Sequence, residues 1–222
     1  MLPLATFSKS SLENGQAEIY TGNIRQGSKV SEKQSYHHGN LREAFLNVAC
    51  DLLEKDGLAN LSLRKCAERL GVSHTAFKNH FSDMAGLLTA IVTHGYSELA
   101  QMMTAKVNND SNREHRRQEA LTGYVKFAEF NPALYELMFS RDRFINDDPV
   151  LLTEIGKCFE ILVDVSEELN WYKGTPIEVS GKSQVALWSF VHGYAQLVTA
   201  KRFKKEHMKG LSIMDILPKI KK

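Results

Sequence analysis

The 222-residue chain is poor in cysteine, with three (Cys50, Cys66 and Cys158) far apart and odd in number. That excludes a disulfide framework and leaves reduced, buried thiols, as in a cytoplasmic protein. Proline is scarce as well, at five. Three of these stand directly after a capping residue, at Asn131-Pro132, Asp148-Pro149 and Thr175-Pro176, which places them at helix starts rather than inside elements. No apolar run approaches the roughly 20 residues of a membrane span, so no membrane partner is expected. The opening Met-Leu-Pro-Leu-Ala-Thr-Phe lacks the basic and apolar regions of a secretory signal. Charge of one sign is missing too: the formal net charge is +2, so any basic footprint must be local. No stretch alternates strictly enough for a strand.

Catalytic signatures are absent. There is no His-Glu-x-x-His, Cys-x-x-Cys, Gly-Lys-Ser/Thr loop or Gly-x-Ser-x-Gly elbow. His37-His38 are adjacent, diverge in direction and have no third ligand nearby. Asp147-Asp148 read as helix capping. The expectation is a non-enzyme with no cofactor and no metal.

What remains is helix. Capping-box spacing occurs at Asn40/Glu43, Ser111/Glu114 and Thr175/Glu178. Glycine stops occur at Gly57, Gly71, Gly174 and Gly210. Together they give an all-α chain with helices near 41–56, 63–70, 74–80, 84–107, 112–130, 132–141, 149–170, 176–205 and 211–217. Residues 1–35 lack periodicity and read as a flexible arm. Residues 36–83 form a three-helix head, and 84–222 a helical effector-binding and dimerisation domain. Leu41, Phe45, Val48, Ala49, Leu52 and Leu53 make one stripe. It is able to cover Cys66, Ala67 and Leu70 on the second helix and Phe77 and Phe81 on the third.

Residues Leu61 to Phe81 carry the grammar of a helix-turn-helix, a unit that lays a helix in a DNA groove. Ser62 and Ser73 are placed to cap its two helices, whose N-termini favour phosphate oxygens. Arg64, Lys65, Arg69 and Lys78 make the unit locally basic, against Glu68 alone. His74, Thr75 and Asn79 are short enough to meet base edges. Helix–Gly–helix units with solvated Arg and Lys also occur in ordinary all-α proteins, and a protein-interaction module stays open on pattern alone.

Five segments together resemble the TetR family of bacterial transcriptional regulators. They are Tyr36-His37-His38-Gly39-Asn40-Leu41-Arg42, Asp51-Leu52-Leu53-Glu54-Lys55-Asp56-Gly57-Leu58, Ser62-Leu63-Arg64, Gly71-Val72-Ser73-His74 and His80-Phe81. The resemblance implies a homodimeric, all-helical repressor of double-stranded DNA, whose C-terminal domain takes a small-molecule effector. It places base or phosphate contacts at Arg64 and the exposed start of the recognition helix at His74, Thr75 and Ala76. Backbone contacts fall at Lys78 and His80. The chain departs from the family pattern at Lys78, where tyrosine is usual, and at Met84, where lysine is usual. A phosphate-binding lysine is therefore expected to have changed helices. Trp188, His192 and Gly193, with Asn131 to Phe139, resemble a Trp–His–Gly class of C-terminal domain. A ligand-independent architectural or division-control DNA binder is the alternative on the same fold.

In the C-terminal part, the helix over 176–205 is apolar on two sides, through Ala186, Phe190, Tyr194, Leu197 and Val198, and through Val185, Trp188, Val191, Ala195 and Thr199. With its predecessor (Leu151, Ile155, Phe159, Leu162, Val163, Leu169) it is expected to form a two-fold four-helix interface. Gly193 is expected to permit close helix packing. Materials for an apolar effector pocket are Phe127, Phe130, Tyr135, Met138, Phe139, Phe159, Trp188 and His192. Most of these read equally well as core, and His192 is the best polar contact among them.

Overall fold

The structure is a computed structural model. It describes residues 41–140, 142–167, 169, 180–203, 206 and 210–217. The expected arm at 1–35, Asn40, His37-His38 and the Thr175/Glu178 start lie outside the described residues. The described residues are all-helical: α1 (Leu41–Asp56), a 3-10 turn (Leu58–Asn60), α2 (Leu63–Leu70), α3 (His74–Lys78), α4 (Met84–Thr104), α5 (Arg113–Phe130), α6 (Pro132–Met138), α7 (Pro149–Ser166), α8 (Ser180–Thr199) and α9 (Ile213–Ile216). His38–Lys222 forms one compact unit.

The head assembles on α1. Phe45, Ala49, Leu52 and Leu53 are buried against Cys66, Ala67 and Leu70 of α2, Phe77 of α3 and Phe81 after it. Phe45 meets Phe77 edge-on at 5.3 Å, and Phe77 stacks on Phe81 at 5.1 Å. Such aromatic pairs add about 0.5–1.5 kcal/mol each beyond their burial. A five-residue helix cannot persist alone, so this packing is what holds α3.

The body is built around α4, whose Leu87, Ile91, Val92, Leu99 and Met103 are buried. Gly123 of α5 lets its backbone lie directly on the C-terminal turn of α4. A Cβ there would stand 2.1 Å from the Met102 carbonyl oxygen. Gly95 of α4 likewise receives α6, with Met138 Sδ 2.8 Å from a Cβ position.

Several helix ends differ from the expected ones, each for a stated reason. α5 is capped by Asn112, whose side chain accepts from His115 N at 2.9 Å, and not by Ser111. The Ser111 hydroxyl is taken by the preceding turn, where it bonds Asn108. Asn131 does not cap α6. Its amide turns back onto the Phe127 carbonyl at 3.2 Å, and Glu54 of α1 supplies the cap. α7 stops at Ser166 rather than 170, and Arg117 of α5 takes the carbonyls of Val165 (2.8 Å) and Glu167 (3.1 Å) at that end. Arg116 grips Asp164 through Nε and Nη2 at 2.7 and 3.1 Å, and Arg113 reaches Glu167 at 2.9 Å. α8 ends at Thr199, with Lys201 in the left-handed region at φ 52, nine residues before Gly210. Asp148 caps α7 through Val150 N and Leu151 N as expected.

Candidate nucleic-acid interface

The helix-turn-helix is rigidly built at its corners. Ser62 Oγ accepts from Lys65 N at 3.2 Å, and Ser73 Oγ accepts from Ala76 N at 3.3 Å. Between them Gly71 takes φ 68, which a side chain would resist. The Val72 amide closes the turn on the Ala67 carbonyl at 3.1 Å.

On this frame Lys65, Thr75, Lys78 and Asn79 are exposed. Arg64 is also exposed, at 83% of its side chain, and is paired with Glu68 at 2.7 Å. An i,i+4 pair this exposed is weak, so a phosphate readily competes for the guanidinium. Thr75 shares a 2.9 Å hydrogen bond with Ser73, which fixes its hydroxyl beside the helix start. Ala76 is half-buried. His80 is half-buried with its ring 6.3 Å from Phe45, so its body packs into the head. The backbone of His74 opens α3; its side chain lies outside the described residues.

Arg42 was not singled out from the sequence. Its guanidinium lies 5.1 Å above the Phe81 ring, adding a cation beside the end of α3. Nothing in the local pattern distinguishes it from a solvated first-turn arginine. Only the docking of α1 on Phe81 does so.

In the body a second polar centre is buried among aromatics. His192 Nδ1 of α8 lies 2.8 Å from the Tyr135 hydroxyl of α6 and 3.2 Å from the Tyr124 hydroxyl of α5. The Phe139 ring stands edge-on to His192 at 4.4 Å. Burial pushes both phenols above their ordinary range and His192 below its own. Phe127 and Met138 are buried core, and Trp188 is half-buried. Two expected pocket residues are not brought to this centre: Phe130 is 69% exposed and Phe159 42% exposed. Tyr124 was missed, since a tyrosine at helical spacing carries no sign of its partner.

Within the single chain α8 is open at Gly193, the position expected to permit close helix packing. A Cβ there would meet nothing within 4 Å, and Val185 and Leu197 of the same helix are exposed. Val150, Leu152 and Phe159 of α7 are exposed too.

Two family models match the chain. One, described as bacterial regulatory proteins of the tetR family, covers residues 45–91; the other, described as a tetracyclin repressor-like C-terminal domain, covers residues 118–212. The nucleoid occlusion factor SlmA of Edwardsiella ictaluri (strain 93-146) is 28% identical over 121 residues, covering 51% of this chain and 61% of its own length. That of Haemophilus influenzae (strain PittGG) is 26% identical over 98 residues, covering 44% and 45%. The chain therefore spans about half of the length of these curated relatives. A protein of unknown function from Rhodococcus sp. RHA1 superposes with TM-score 0.64 at 26% identity, over 83% of this chain and 93% of that one. A TetR transcriptional regulator from Streptomyces coelicolor shares the fold with TM-score 0.56 at 20% identity, over 78% and 81%.

Proposed function

From the premise that the chain belongs to the TetR family of bacterial regulatory proteins, we propose that it is a sequence-specific DNA-binding repressor acting as a homodimer in the cytoplasm. A small apolar or aromatic effector releases it from its operator. One observation carries the DNA reading: a serine-capped α3 held on a stacked phenylalanine plinth, with Lys65, Thr75, Lys78 and Asn79 exposed around it. Lys65, Lys78 and Arg64 hold phosphates and set the register, while His74 and Thr75 read base edges.

The homodimer reading rests on the exposed apolar residues of α7 and α8 and on the open space at Gly193. A second copy fills that space and places two heads on half-sites about 34–36 Å apart. The effector reading rests on the Tyr124–Tyr135–His192 centre, three polar groups converging among aromatics.

Selection of bound duplexes from a random pool tests the reading. It yields a two-fold symmetric site and an affinity that falls steeply with salt. Folded protein with no salt-dependent affinity for any duplex would falsify it. The matches to nucleoid occlusion factors favour a second reading, a division-control DNA binder that needs no effector. Under the first reading small apolar compounds release the duplex; under the second they do not.

A further inference from the structure

Helix α6 is held at its start by another helix. The Ala133 and Leu134 amides donate to the two carboxylate oxygens of Glu54 in α1, at 3.2 and 2.8 Å. Its own Asn131 makes no side-chain cap. A helix of seven residues has little internal hydrogen bonding, so its position depends on what grips its end and faces. Two charge-assisted bonds aligned with the positive end of a helix dipole make a firm grip, and Glu54 is half-buried, which limits screening.

The rest of α6 touches the body. Leu134 and Met138 lie against Gly95 of α4, and Tyr135 bonds His192 of α8 at 2.8 Å. One short rod thus has a carboxylate of the head at its end and the polar centre of the body one residue further on. Along α1, Glu54 lies about 14 Å from Phe45, at 1.5 Å per residue. Phe45 is the ring on which Phe77 of α3 packs.

We propose that Glu54 is a positioning residue. It clasps α6 and sets the angle at which the head is presented, so that a change at Tyr135–His192 reaches α3 through the Glu54 carboxylate. The clasp stands on geometry alone; its readout as half-site spacing rests on the DNA-binding function proposed above.

The test uses the full chain, with Glu54→Gln, Tyr135→Phe and the double variant. Gln keeps the size but replaces one acceptor oxygen with a donor. Exchange of the Ala133 and Leu134 amides with deuterium speeds up about tenfold in Glu54→Gln. Tyr135→Phe changes the same amides, and the double variant departs from the product of the singles by about threefold or more. In duplex selection, Glu54→Gln keeps the half-site sequence and loses preference among spacings by about fivefold or more. A mere helix cap would lower the unfolding midpoint while leaving the spacing preference sharp; that result overturns the proposal. Unchanged amide exchange, or independent effects of the two substitutions, overturns it equally. If no variant binds any duplex, the DNA reading falls and the amide cycle alone decides for or against the clasp.

Discussion

Lys78 stands in the last turn of α3, exposed, on the same short helix whose Phe77 is buried. Its charge is available to a phosphate and carries no sequence information. Lys78→Ala is expected to weaken binding on all duplexes alike and to reduce the salt slope by about 1. Thr75→Ala is expected to alter preference among sites more than affinity. Equal slopes in a salt titration of wild type and Lys78→Ala would remove the lysine from the interface. The two half-buried histidines of the body have opposite linkage to folding. His94 is raised by its hydrogen bond to Glu98, against desolvation, with Glu98 and Glu43 adding charge. Its contribution is present below the unfolded value near pH 6.5 and is lost as pH rises through the folded one. His192 is lowered by burial. Stability is therefore lost as pH falls below about 6.5 toward its folded value. Denaturant midpoints between about pH 7 and pH 5 should fall less steeply in His192→Gln than in wild type, and more steeply in His94→Gln. Parallel profiles for all three proteins would contradict both assignments. Of these residues, the sequence showed Lys78 and His192 as candidates by motif and by apolar context. It did not show Tyr124 or Arg42, because their roles come from partners 68 and 39 positions away.

At the scale of elements, helix starts with their own signal were legible, and those borrowing one were not. Ser62, Ser73 and Asp148 cap as their sequence context says, since the cap and the amide it serves are two or three residues apart. α6 and α7 end or begin on side chains from other helices, Glu54 and Arg117, which no local window contains. Gly123 belongs to the same class. Within α5 it reads as a weak point, about 1 kcal/mol worse than alanine in a helix. Against α4 the sign reverses, because an added methyl would collide with the Met102 and Met103 backbone at 2.1 and 2.8 Å. Gly123→Ala is therefore expected to destabilise by about 3 kcal/mol despite its better propensity. A denaturant midpoint unchanged or raised by that substitution would show that α4 and α5 separate freely.

For the whole molecule, the proposed homodimer is tested at α7 and α8. Val150, Leu152, Val185 and Leu197 leave apolar surface on two adjacent helices. In the homodimer proposed above, a second copy would meet it through a self-complementary face. Val185→Glu or Leu197→Glu should give a monomer in sedimentation with the helical content kept. DNA affinity should then fall about 100-fold, because two linked half-site contacts become one. A dimer that survives both substitutions would move the interface elsewhere.

The sequence by itself determined the all-α class, the helix-turn-helix and its inward phenylalanines. Periodicity, caps and glycine turns act over three or four residues, and a short unit such as α2–α3 is specified within that range. The tertiary structure decided which face of α8 stays open, where α7 stops, that α6 is held by Glu54, and that Tyr124, Tyr135 and His192 share one centre. The last three are contacts between residues some 50 to 80 apart, and only the packed chain sets their distance.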